Sequence, residues 1–152
     1  DSLGSINHNG EHFNYLFWES EQLLDESIVD RSRGAIIQQG NLVSYLEKSL
    51  TQFGFNSKER ADFITYWVPN MKDVTNLYIY FVFNDACDVF ATLNISPEPA
   101  QTARFYMLWA DAGTDYDEFG IIPQEIPTFS RNGFTVLEWG GAEIDAEHKT
   151  ID

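Results

Sequence analysis

Apolar residues recur every three or four positions in "NLVSYLEKSLTQFG", residues 41–54, where Leu42, Val43, Leu46, Leu50 and Phe53 fall on one side of a helix. Asn41 stands where an N-cap is expected and Gly54 where a helix stops. A second helix follows at once in "NSKERADFITYWVP". There Asn56 with Glu59 three residues on has the form of a capping box, and Pro69 ends the run. The short link around Gly54 and Phe55 makes the two an antiparallel helical hairpin.

Elsewhere the period is two. The Asn-Gly pair at 9 and 10 predicts a type I′ hairpin in "INHNGEHF", with Asn7 facing His12 and His8 facing Glu11. The two histidines then lie on opposite faces, which argues against their sharing a metal. The alternation carries the second strand through "FNYLFWES", with Phe13, Tyr15 and Phe17 on one face, Leu16 and Trp18 on the other, and both faces covered. Ser20 to Arg33 is too polar for a core element and reads as an exposed loop into a brief strand, "GAIIQQ". In "NLYIYFVF" the residues Leu77, Ile79, Phe81 and Phe83 give one wholly apolar face, as in a central strand under helices. Further strands are expected in "VFATLNI", in "TARFYMLWA" with Phe105, Met107 and Trp109 on one side, and in the closing "GFTVLEWG". The prolines of "SPEPAQ" and "IIPQEIP" mark a break and an edge. In the closing strand Phe134, Val136 and Glu138 take one face and Thr135, Leu137 and Trp139 the other, with Arg104 or Arg131 as partner for Glu138. Gly140 and Gly141 are expected to release the backbone from the sheet.

These elements describe one α+β domain over residues 1–152: a mainly antiparallel sheet packed against a helical hairpin, with an ordered core from about 6 to 144 and a flexible tail at 145–152. A chain of this length buries roughly 70% of its unfolded surface and needs no staples.

Charge narrows the partners. With Asp+Glu 24 against Lys+Arg 9 the net charge is −15, which disfavours nucleic-acid phosphates and anionic lipid. No stretch is long and apolar enough for a membrane span, and "DSLGSINHNG" is not a signal peptide. Cys87 is the single cysteine, so an internal disulfide is excluded, and without a nearby base it reads as a small buried hydrophobe. Walker, dinucleotide, Cys-x-x-Cys and Gly-x-Ser-x-Gly motifs are all absent, and no cofactor is expected.

Three groups of residues remain as chemistry. Asp111, Asp115, Asp117 and Glu118 form an acidic loop with oxygen donors for a cation, but without the spacing of an EF-hand. Glu19 beside Trp18 and Glu138 beside Trp139 are the carboxylates a polysaccharide hydrolase would need, one on each side of a glycosidic bond. Trp18 and Trp139, near strand ends, are the binding candidates, whereas Trp67 and Trp109 sit at core spacing. The expected partners are a glycan or a protein at a sheet edge.

Four stretches, "FNYLFWES", "ADFITYWVPNM", "LNISPEPAQTARFYMLW" and "GFTVLEWGGAEI", together resemble a family of uncharacterised bacterial proteins, many of them secreted or anchored in the cell envelope. The resemblance covers the chain from Ile6 onward. It implies a compact α+β domain with a secreted or envelope location, and it supplies no activity and no catalytic residue. Members often carry a further amino-terminal β segment with Tyr-Leu-Tyr-Pro; no such residues occur here, which implies either a shorter version or a chain from which that segment is missing. The expectation is a binding or structural domain without catalysis, with a polysaccharide hydrolase or a carbohydrate-binding module as the alternatives.

Overall fold

A computed structural model describes residues 6–19, 26–113 and 120–145. The acidic-loop candidates Asp115, Asp117 and Glu118, and the tail beyond Asp145, lie outside the described residues.

The α+β architecture is as expected. A small hairpin joins β1 (Ile6–His8) to β2 (Glu11–Phe13), in the expected register of Asn7 on His12 and His8 on Glu11. Asn9 and Gly10 both take positive φ, 52° and 84°, which is the requirement of a type I′ turn. The main sheet has the order β3 (Ala35–Gln38), β4 (Asn76–Phe83), β5 (Gln101–Asp111), β6 (Thr135–Glu143). β3–β4 and β4–β5 are antiparallel, while β5–β6 is parallel, with Gln101 beside Thr135 and Trp109 beside Glu143.

The helices α1 (Leu42–Phe53) and α2 (Ser57–Trp67) cover one face. Leu42, Leu46, Leu50 and Phe53 are fully buried, and Val43, expected on the same side, points to solvent. Asn41 makes no side-chain cap. It closes a 3₁₀ turn, Gln39–Asn41, whose backbone leads directly into α1, so the first turn is continued rather than capped. The α2 capping box is complete in both directions: Glu59 N–H donates to Asn56 Oδ1 at 2.9 Å and Asn56 N–H to Glu59 Oε2 at 2.8 Å. Pro69 sits in the first turn of a 3₁₀ segment, Val68–Met71, that follows α2.

Each central strand separates two cores by alternation. Leu77, Ile79, Phe81, Phe105, Met107 and Trp109 meet the helices. On the opposite face Tyr78, Val82, Tyr106 and Leu108 are covered by loops carrying Val29, Cys87 and Ile144.

Three strand expectations give way. β2 stops at Phe13, and Tyr15, Leu16, Phe17 and Trp18 are exposed rather than covered, since among the described residues no third strand joins the hairpin. "VFATLNI" forms no strand: Asn84, at φ 49°, turns the chain into a 3₁₀ segment, Asn84–Val89, and the Ala91 carbonyl is taken by Arg104 instead of a ladder. β6 does not leave the sheet at its glycines but runs on to Glu143, with Gly140 beside Tyr106 and Gly141 beside Met107. Close packing explains those glycines, since a Cβ at Gly141 would collide with the Met107 carbonyl and press the Trp67 ring at 3.0 Å.

The sheet's two edges differ. β3 is short, and past it the backbone of Phe81 is closed by a side chain: Phe81 N–H donates to Gln124 Oε1 at 2.7 Å and Gln124 Nε2 donates to the Phe81 carbonyl at 2.8 Å. The proline-bearing segment expected at an edge thus guards β4, helped by a bridge between Arg33 and Ile122. Along β6 there is no such cover: among the described residues its backbone bonds go to β5 alone.

Candidate functional site

Glu138 and Trp139 are neighbours in β6 and so face opposite sides of the sheet. Two distinct environments result.

On the helix side Trp139 is half-buried, its ring 5.3 Å from Phe63 beneath it. Tyr66 of α2 and Tyr15 of the amino-terminal segment lie against it, both at 6.1 Å between ring centroids, and Phe17 packs on Tyr66 at 5.9 Å. Tyr15, Phe17 and Tyr66 are exposed, which makes a continuous aromatic rim beside the open edge of β6. Its rings are tilted by 54° to 61° to one another, so they form a relief and not a flat platform. Lys58, paired with Asp62 at 2.5 Å, stands over the Tyr15 ring. Glu143, at the far end of β6, is exposed and has no partner among the described residues.

On the other side Glu138 is buried in a charge network. Arg104, 4% exposed, donates from Nε to Glu138 Oε2 at 2.5 Å, from Nη1 to Asp88 Oδ1 at 2.6 Å and from Nη2 to the Ala91 carbonyl at 2.8 Å. The Tyr106 hydroxyl donates to Glu138 Oε1 at 3.2 Å. Register brings these together, because the parallel pairing sets Arg104 directly beside Glu138. Burial by itself would lower the Arg104 pKa, but the Glu138 hydrogen bond and charge outweigh it and hold the guanidinium above its ordinary value. Burial, then the Glu138 charge, raises Tyr106. A polar cavity of about 460 Å³ opens beside this network, lined by Asn84, Asp85, Asp88, Asn94, Glu98 and the flank of Arg104.

Cys87 lies beneath the network, its thiol donating to the Val82 carbonyl at 3.4 Å. Burial pushes the thiol from 9.0 up to about 12, and likewise pushes Tyr45 from 10.0 up to about 12. Both groups are raised, so their contribution to stability is complete below pH 9 and is lost as pH rises towards about 12, where the unfolded chain ionises first. An alkaline titration followed by near-ultraviolet dichroism is expected to show unfolding in that window. Maleimide should label Cys87 only as the fold opens, and rapid labelling of the folded domain near neutral pH would contradict the assignment.

The sequence candidates are therefore distributed unevenly. Trp109 is buried and Trp67 half-buried, as their spacing implied. Trp18 is exposed and shares no ring contact with Trp139. Glu19 is exposed and makes no hydrogen bond or ion pair among the described residues, whereas both oxygens of Glu138 are engaged. Of the two arginines considered for Glu138, Arg104 holds it, and Arg131 pairs with Glu59 at 2.5 Å. Asp111 uses Oδ1 to accept from Gly113 N–H, closing a local turn, and no cluster of three metal-ligating side chains occurs among the described residues. Tyr15 and Tyr66 were not singled out by sequence reasoning. Tyr66 left a signal, since it continues the stripe Lys58–Asp62 at four-residue steps and so places a large ring on the polar side of α2.

Comparison with family models, with curated proteins and with solved structures finds no match.

Proposed function

We propose that this is a non-catalytic binding domain, acting at or outside the cell envelope, which engages its partner through the aromatic rim of Tyr15, Phe17, Tyr66 and Trp139. The observation that carries this reading is the clustering of exposed rings around a half-buried tryptophan on β6, the edge strand of the sheet among the described residues. Contiguous apolar surface of this kind marks interaction sites, and aromatic side chains contribute most of the energy where partners meet. The acidic composition agrees with a soluble, exposed domain, and the envelope location rests on the sequence resemblance.

The placement of Glu138 supports binding over hydrolysis. A glycosidase acid or nucleophile must present an oxygen to the substrate, whereas the Glu138 oxygens are held by Arg104 and Tyr106 and its side chain is 9% exposed.

The test sets binding against turnover. The domain is titrated with soluble polysaccharides and with peptide libraries, tryptophan fluorescence reporting binding and reducing-end release reporting hydrolysis. Binding without turnover is expected, with affinity falling at least tenfold in a folded Phe17→Ala, Tyr66→Ala double variant. Sugar release that disappears in folded Glu19→Gln or Glu138→Gln variants would overturn the reading.

A further inference from the structure

We infer that the partner is an extended, basic polypeptide segment that adds as a strand to the outer edge of β6, with alternate side chains falling on the aromatic rim. The inference rests on the reading of that rim as a binding surface and goes further in naming the occupant.

The first ground is the contrast between the edges. On the far side the Gln124 amide closes Phe81 of β4 and the Arg33–Ile122 bridge precedes β3, which leaves only the four residues of β3 facing outward, whereas β6 presents nine residues, "TVLEWGGAE", whose outer backbone groups have no partner among the described residues. Such a row of donors and acceptors is a template for another strand unless it is blunted. β6 contains no proline, lysine or arginine, and its one inward carboxylate, Glu138, is neutralised by Arg104. A strand of this length offers about 30 Å of ladder.

The second ground is the shape of the rim. Sugar chains stack best on flat, exposed rings, and these are tilted by more than 50° to one another. Tilted rings leave hollows suited to single side chains, such as project at every second residue of a strand laid along β6.

Charge selects the sign of the partner and disfavours a second copy. A dimer formed edge to edge would bring together two chains each carrying −15, while a basic segment meets an acidic protein whose exposed Glu143, at the strand end, has no partner among the described residues.

The experiment uses the whole chain and a library of peptides in which Lys or Arg alternates with apolar residues, beside a counterpart with Glu in place of the basic positions. Anisotropy measures affinity, and hydrogen exchange follows the β6 amides. The basic peptides are expected to bind in a salt-sensitive manner and to protect amides within residues 135–143. Alternate N-methylation is the decisive control: one set of alternate positions faces β6 and its methylation weakens binding roughly tenfold or more, while methylating the other set leaves binding intact. Equal binding of the two methylated forms, or equal binding of the acidic peptides, would overturn strand addition while leaving the rim as a binding surface. So would failure of every peptide where a polysaccharide binds, or self-association through β6 in sedimentation. Failure of peptides and polysaccharides alike would remove both readings.

Discussion

Arg104→Met is expected to destabilise the domain by about 3–5 kcal/mol, a large share of the roughly 5–15 kcal/mol that holds a domain of this size together. The guanidinium is 4% exposed and joins Glu138 on β6, Asp88 in the 3₁₀ segment and the Ala91 carbonyl in the following loop. Methionine keeps most of the volume but leaves the Glu138 carboxylate buried with only the Tyr106 hydroxyl for company. The penalty thus comes mainly from the stranded charge and not from lost attraction. Asp88 adds little, since it is 61% exposed and water takes over its hydration. A triple variant, Arg104→Met with Glu138→Leu and Tyr106→Phe, removes the charge and the orphaned hydroxyl together and should recover most of the loss. Urea unfolding measures both proteins. A single variant within about 1 kcal/mol of the parent would show that Glu138 is hydrated in the folded state.

Phe105→Ala carries the second large effect, about 3–5 kcal/mol. Its ring is fully buried under the helices and meets five others: Phe53 at 5.1 Å, Phe55 at 5.5 Å, Phe63 at 5.7 Å, Phe81 at 4.7 Å and Phe83 at 5.6 Å. Those rings come from α1, the helix link, α2 and β4, so the cavity left by alanine is walled by separate elements that cannot all close on it. Phe105→Leu retains much of the volume and should cost less than half as much, with the difference again read from urea midpoints. Similar losses for the two variants would mean that the edge-to-face ring contacts, and not filled volume, hold this core.

These two positions show where sequence pattern suffices and where it does not. Phe105, Met107 and Trp109 could be assigned to one face of a strand because a pleated backbone alternates its side chains whatever its neighbours are. Arg104 was legible only as one of two candidate partners for Glu138, because pairing depends on the parallel register of β5 with β6, which nothing local encodes. The continuation of β6 past Gly140 and Gly141 was missed for a related reason. Paired glycines read locally as a release from the sheet, whereas here they make room for Tyr106, Met107 and Trp67, two of which belong to the neighbouring strand. "VFATLNI" failed in the opposite sense: its apolar residues suit a strand, but the Asn84 turn and the capture of the Ala91 carbonyl remove it from any ladder.

The aromatic rim lies at the same boundary. Alternation placed Tyr15, Phe17 and Trp18 on covered strand faces, yet the hairpin strands are three residues long and end before them, and Tyr15 and Phe17 turn to Trp139 and Tyr66. By itself the sequence determined the helical pair with its complete capping box, the type I′ turn, the alternation of the central strands and the acidic surface. Each of these follows from bonds and sterics within a few residues, or from composition alone. Only the tertiary structure decided that β6 runs parallel to β5, that Glu138 is locked beneath Arg104, and that four rings from three distant segments share one surface. Those outcomes depend on which strands become neighbours, a choice made by burying the whole chain at once.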